Sequence, residues 1–258
     1  MKIAITGKGG VGKTFIAGTL ARLLARDGFD ILAIDIDPAM NLSYALGIKS
    51  EMASKIIPIS ENKELIEERV GTGPVYSLTP TVKDIAEKYG VKGPEGVLLL
   101  VMGTVRSGGS GCMCNANSLI HALIRHLMLE RKDVVIMDTE AGLEHLGRAT
   151  IKGFEILVCV VEPGKQSIAT CKKISDLAED IGIKKIFAIA NKIMKKEDMN
   201  FIEENLKPHD IKIIGSVPFD EKILKADNMA IAPIDFASNS NAVKAIEELK
   251  DFIEKEFQ

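Results

Sequence analysis

The amino-acid sequence predicts an α/β protein in which a mostly parallel β-sheet is covered by helices on both faces. Three observations predict it. Short, near-continuous apolar runs recur along the chain, as strands buried on both faces require. Stretches with apolar residues at helical spacing lie between them. The first apolar run leads through the glycine-rich segment GKGGVGKT, Gly7 to Thr14, directly into the first helical stretch, which is the strand, loop and helix order of a parallel unit.

Taken in order, Lys2 to Thr6 (KIAIT) is the first strand, and Lys13 to Asp27 the first helix, with Ile16, Leu20, Leu23 and Leu24 on one face. Ile31 to Ile36 (ILAIDI) is the second strand. Later strands are expected at Val97 to Met102, Val134 to Met137, Ile156 to Val161, Ile186 to Ala190 and Ile211 to Ile214. Helices are expected near Ser118 to Glu130, Ser167 to Ile181, Lys196 to Asn205 and Asn241 to Glu256. The least regular part, Gly47 to Gly96, is rich in Glu, Lys, Gly and Pro and reads as a helical excursion decorating the sheet edge. No repeat or low-complexity linker interrupts the chain, so residues 1–258 read as one domain.

Composition narrows the function. A hydrophobic share of 46% with 27% charged residues excludes a disordered chain. The balance of 33 basic against 36 acidic side chains provides no global pull toward nucleic acid or an anionic membrane. Four cysteines are too few for a small disulfide framework. Runs such as Ile156 to Val161 fall far short of the roughly 20 apolar residues that span a bilayer, and Met1-Lys2 leads into no signal-like segment. A cytoplasmic protein without nucleic-acid or membrane partners is expected.

GKGGVGKT fits G-x-x-x-x-G-K-[ST], the phosphate-binding loop of a P-loop NTPase, in the required strand-to-helix context. Glycines let backbone N–H groups turn around an anion unobstructed, and the positive end of the next helix adds to the pull. Gly9, Gly10, Val11, Gly12, Lys13, Thr14 and Phe15 form the expected cradle, with Lys13 along the β- and γ-phosphates and the Thr14 hydroxyl as a Mg²⁺ ligand. Asp35 and Asp37 (IDIDPAMN) and Asp138 (VVIMDTEAG) end strands, where ligands gather in parallel sheets. Phosphoryl transfer needs one carboxylate to position Mg²⁺ and one group to orient the attacking water. Asp35 stays open between a site role and a strand-end carboxylate bonded to local backbone.

Lys8 places a second lysine at the start of the loop. This GK-x-x-x-GK form resembles the deviant Walker A ATPases, which include the nitrogenase iron protein and the MinD and ParA proteins. The resemblance implies a homodimer in which Lys8 reaches the partner's nucleotide. It also implies Asp37 of switch I as the residue that orients water, Asp138 as the Walker B-like carboxylate, and a Gly142 backbone N–H offered to the γ-phosphate. Lys8, Lys13, Asp37 and Asp138 are thus the expected catalytic set. Guanine-specific P-loop proteins carry N-K-x-D, whereas this chain has Asn191-Lys192-Ile193-Met194. Guanine's donors would go unpaired, a costly loss in a buried pocket, so ATP and ADP are the expected nucleotides. The resemblance implies Asn191 and Lys192, with Pro218, Phe219 and Asp220, as the contacts to nucleotide on the base side.

Cys112 and Cys114 flank one residue in GGSGCMCN. In extended chain, positions i and i+2 point to one side and can hold one soft metal between them. Two ligands do not close a site, and no other CxC or CxxC exists. A second copy from a symmetry-related subunit completes four thiolates, suited to Zn²⁺ or Ni²⁺. Cys159 and Cys171 read as core, and His121 and His126 as surface.

Together GKGGVGKT, YSLTPTVKDIAEKYG, LLVMGTV followed by GGSGCMC, and DTEAGLEHLGRAT resemble the CooC-type nickel-insertion ATPases that mature carbon monoxide dehydrogenase, and the related accessory protein of acetyl-CoA synthase. The resemblance spans nearly the whole chain. It implies ATP hydrolysis coupled to dimerisation and to delivery of Ni²⁺ to a client enzyme. Thr79-Pro80 stands where those proteins usually have Asn-Pro, and Thr139 where they usually have Met. Neither touches an assigned contact, but both weaken a choice between the two clients.

Rival readings have their own requirements. An iron protein with a shared [4Fe-4S] cluster needs a cysteine just after switch II, and 139–150 contains none. A division-site or partition switch that binds membrane needs a basic amphipathic C-terminus, yet acidic residues outnumber basic ones in 241–256. A MinD- or ParA-like switch stapled by a structural zinc remains the alternative.

Overall fold

A computed structural model describes all residues except 38, 72–76, 78, 104–111, 131–133, 140–152 and 258, and the backbone alone at 112–114. The first half of the chain forms β1 (Lys2–Thr6), α1 (Lys13–Arg26), β2 (Ile31–Asp35), α2 (Leu42–Ala45), α3 (Ser50–Ala53), α4 (Lys63–Val70), α5 (Ile85–Tyr89), β3 (Val91–Lys92), β4 (Leu98–Val101), α6 (Cys112–Glu130) and β5 (Val134–Asp138). The second half forms β6 (Ile156–Val161), α7 (Lys165–Ile181), β7 (Lys185–Ile193), α8 (Lys196–Leu206), β8 (Lys212–Pro218), α9 (Glu221–Asn228), α10 (Pro233–Phe236) and α11 (Asn241–Phe257).

The strands make one sheet of order β3-β4-β2-β5-β1-β6-β7-β8, parallel throughout except for the β3–β4 pair. Alternation along each strand sends residues to opposite faces. In β2, Leu32 and Ile34 enter one core with α4 to α8, while Ile31 and Ala33 enter the other with α1, α2 and α11. Both faces are therefore filled, which is why the strands read as unbroken apolar runs. Helical periodicity does the rest: Val243, Ile246, Leu249 and Ile253 line the buried face of α11.

Predicted strands and helices lie where expected, with differences at their ends. β7 and β8 run longer than their apolar cores because they pair with each other as far as Ile193 and Pro218, through two register shifts. The segment 47–96 holds α3, α4, α5 and the short antiparallel edge strand β3. The short helices α9 and α10 were not marked by periodicity. One expectation is corrected. α6 starts at Cys112, so Cys112 and Cys114 are its first and third residues rather than part of an extended loop. At about 100° per residue, helical positions i and i+2 do not share a side, so the alternation argument does not apply to this backbone.

Because β1, β2, β4, β5, β6, β7 and β8 are parallel, their C-terminal ends share one edge of the sheet. β4 delivers the chain to that edge and α6 returns from it to β5.

Candidate functional site

At the end of β1 the chain turns through Gly7 with φ +139° and then through Gly10 and Gly12 at +79° and +94°. A Cβ on Gly7 would lie 2.4 Å from the Val160 carbonyl oxygen, and one on Gly12 would lie 2.4 Å from Asn191 Nδ2. Only glycine fits either place. Gly12 precedes α1 with no side chain capping the helix, so the first N–H groups of α1 face the site as anion donors. The Lys13 ammonium is buried here and donates to the Lys8 carbonyl oxygen at 3.2 Å.

A cavity of about 740 Å³ opens on this loop. Gly9, Gly10, Gly12, Lys13, Thr14 and Phe15 line its floor, with Asp37, Asn41 and Tyr44 on one side. Asn191, Lys192, Pro218, Phe219 and Asp220 form the other side, extended by Leu224 of α9 and by Ile231. Val11 lies fully buried beneath the loop. Nearly all the residues read from sequence as nucleotide contacts therefore meet at one cavity. Lys8 is not among its lining residues.

The hydrogen bonds refine several readings. Asn191 donates from Nδ2 to the Val11 carbonyl oxygen at 2.7 Å, and Lys192 from Nζ to that of Gly10 at 2.6 Å. Both brace the loop as well as line the cavity. Asp220 caps α9, its Oδ1 accepting from the Lys222 N–H at 2.9 Å. Asp35 accepts from the backbone N–H of Asp37 and of Leu42, each at 3.0 Å. The open question about Asp35 thus resolves toward local backbone, and its carboxylate holds both ends of the loop that carries Asp37. Burial first, and then the neighbouring Asp138, push its carboxyl up to about 7.

Asp138 pairs in register with Asp35 across β5 and β2. Burial lifts its carboxyl to about 7 as well, against the opposing pull of the Thr14 hydroxyl and the Lys13 ammonium. Neither of its oxygens completes a hydrogen bond of full geometry among the described residues. A buried carboxylate with open lone pairs beside a threonine hydroxyl is the oxygen-donor set that suits Mg²⁺. Thr139 donates through both its N–H and its hydroxyl to the Ile5 carbonyl oxygen, joining β5 to β1.

Gly142 lies outside the described residues, as do the side chains of Cys112 and Cys114. Cys159 and Cys171 are buried core residues. His126 pairs with Glu130 at 3.2 Å along α6. Among the described residues no group of three or more His, Cys, Asp or Glu side chains is placed to hold a metal ion, and no helix is long and apolar enough to cross a membrane. Sequence reasoning missed Glu162, which follows β6 and pairs with Lys8 at 3.6 Å and with Lys192 at 3.0 Å. The signal was present: an acid directly after an apolar strand, as at Asp138.

Comparison with known proteins agrees with this geometry. Residues 2–234 match the CobQ/CobB/MinD/ParA nucleotide binding domain. The chain is 45% identical to the carbon monoxide dehydrogenase accessory protein CooC of Rhodospirillum rubrum, over 92% of this chain and 90% of that one. It is 42% identical to an uncharacterized ATP-binding protein of Methanocaldococcus jannaschii, over 99% and 98% of the two chains. In fold it is similar to the cell division ATPase MinD of Pyrococcus furiosus, with TM-score 0.71 at 20% identity and 98% of both chains covered. A ParA family ATPase from Chlorobium tepidum aligns with TM-score 0.69 at 18% identity, over 96% and 97%.

Proposed function

The chain belongs to the CobQ/CobB/MinD/ParA nucleotide-binding family and, within it, to the CooC type, and on that footing we propose that it is a cytoplasmic, dimerising ATPase that carries nickel to carbon monoxide dehydrogenase or acetyl-CoA synthase. The whole chain, 1–258, acts as one ATPase domain in this reading. The observation that supports the ATPase part is the meeting of the phosphate loop and Asp37 at one cavity, with Asp138 beside Asp35 at the strand ends; the metal part is supported by the likeness to CooC.

ATP seats its polyphosphate on the N–H groups at the start of α1, with the Lys13 ammonium turning from the Lys8 carbonyl to the β- and γ-phosphates. Asp138 and Thr14 are the residues that would hold Mg²⁺, and their open oxygen donors fit it. When bound, Mg²⁺ neutralises charge across the transferred phosphate. Asp37, exposed to the cavity, accepts a hydrogen bond from the attacking water and aligns it. Asn191 and Pro218 to Asp220 receive the adenine side, where Met194 offers guanine no carboxylate. Lys8 acts on the partner's nucleotide, and the Gly142 N–H on the γ-phosphate.

Nickel is the cargo. Cys112 and Cys114 of two subunits supply four thiolates around one ion, at an interface that duplicates any residue near its axis. Metal content per dimer, measured with and without a non-hydrolysable ATP analogue, tests the reading. One Ni²⁺ or Zn²⁺ per dimer, lost in Cys112→Ser and Cys114→Ser, supports it. One metal per monomer, or full binding in both variants, defeats the shared site. Metal affinity indifferent to nucleotide would favour the zinc-stapled switch instead.

A further inference from the structure

We propose that Glu162 is a positioning residue that holds Lys8 within its own subunit until nucleotide binds, and so sets the balance between monomer and dimer. The proposal rests on the dimeric reading of Lys8 given above. Glu162 sits where β6 reaches the site edge, its backbone N–H donating to Ser167 Oγ at 3.1 Å. Its carboxylate lies between two ammonium groups, with Oε1 3.6 Å from Lys8 Nζ and Oε2 3.0 Å from Lys192 Nζ. Lys192 has φ +59°, in the left-handed region that a residue with a Cβ enters at a cost. It is held there while its ammonium also bonds the Gly10 carbonyl oxygen.

Lys13 and Lys8 therefore differ in kind. Lys13 lines the nucleotide cavity, whereas Lys8 does not and instead faces a carboxylate of its own chain. A lysine meant for a second subunit's phosphates has to leave that carboxylate first. The pair is suited to opening: it is long, and the side chains of Lys8 and Glu162 are 37% and 24% exposed. Pairs of that exposure shift an equilibrium only a few-fold, and a triphosphate offers several charges against one. The shorter Lys192 contact remains after Lys8 departs. Glu162 is then not left as a half-buried charge without a partner, which would otherwise oppose release.

Dimerisation measured by sedimentation equilibrium, with the β,γ-imido analogue of ATP and Mg²⁺, tests this in wild type, Glu162→Gln, Lys8→Ala and the double variant. Glu162→Gln should lower the dimer dissociation constant roughly 2- to 20-fold, because two such pairs open per dimer. The gain should vanish in the Lys8→Ala background, as a double-mutant cycle requires for a coupled pair. Glu162→Asp, which keeps a charge for Lys192 but shortens the reach to Lys8, should give a smaller gain of the same sign. An unchanged or weaker dimer in both Glu162 variants overturns the proposal, and so does a gain that persists without Lys8. A wild-type chain that stays monomeric with every nucleotide removes the dimeric reading itself and this inference with it.

Discussion

The side-chain amide of Asn191 donates to the carbonyl oxygen of Val11 at 2.7 Å, joining two residues 180 positions apart in the chain. The end of β7 thereby fixes the phosphate loop from the side, and the same amide leaves no room for a Cβ on Gly12.

Asn191→Ala removes that donor and leaves the buried Val11 carbonyl without it. The expected cost is about 1–3 kcal/mol of stability. Because the acceptor belongs to the phosphate loop, nucleotide affinity should fall about tenfold, equivalent to ~1.4 kcal/mol. Denaturant unfolding and titration with a fluorescent nucleotide would be run on the same variant. Lost stability with unchanged affinity would mean that the loop keeps its shape without the brace.

Lys13→Ala should abolish ATP turnover, since the ammonium that reaches the phosphates is gone. Asp37→Ala should behave differently. Asp37 lines the cavity, and its Oδ1 accepts only from the Ala39 N–H at 2.8 Å among the described residues. Nucleotide binding should survive while hydrolysis falls about 100-fold or more. Steady-state phosphate release beside equilibrium nucleotide binding separates the two variants, and hydrolysis at the wild-type rate in Asp37→Ala would remove its assigned role.

Asp35 and Asp138 make the stability of the nucleotide-free chain depend on pH. Each carboxyl is raised from 3.8 to about 7 in the folded state, so the fold favours the protonated forms. Their contribution is fully present below about pH 4 and is lost as pH rises through 7. Asp138→Asn should therefore gain stability over wild type between pH 5 and pH 8, by roughly 2 kcal/mol. The same substitution should abolish the effect of Mg²⁺ on nucleotide affinity. Urea unfolding at three pH values, with and without Mg²⁺, checks both; an equal difference between the two proteins at every pH would contradict the buried-carboxylate account.

Arg22 predicts a purely structural effect. Its side chain is 4% exposed and bonds Glu95 and Asp235, with Arg26 also on Glu95. The cluster ties α1 to the turn before β4 and to α10. Arg22→Ala leaves Glu95 with Arg26 alone and the half-exposed Asp235 without this partner, and should cost about 1–3 kcal/mol. Arg22→Met, which refills the space, should melt in combination with Glu95→Gln at a higher temperature than Arg22→Ala. Thermal unfolding of the three proteins decides it, and a small loss in Arg22→Ala would show the cluster to be solvated.

Local chemistry determined much of this molecule. An apolar run such as Ile156 to Val161 can be satisfied only by burial on both faces, so it is legible as an inner strand from its residues alone. Gly7, Gly10 and Gly12 of GKGGVGKT are legible because their positive φ angles disfavour any residue with a Cβ. The acids at 37 and 138 are legible because parallel strands deliver their ends to one edge. Other features depend on residues distant in the chain. The brace from Asn191 to Val11, the bridge from Glu162 to Lys8 and Lys192, and the α9 side of the cavity exist only once β6, β7 and β8 are stacked beside β1. The start of α6 was likewise unreadable, since its first two turns read CMCNANS and carry no apolar stripe. What the sequence determined by itself were burial patterns and backbone angles, which each segment obeys alone. The partner of each polar side chain was decided by the tertiary structure, because a hydrogen bond or ion pair spans a few ångströms of space regardless of distance along the chain.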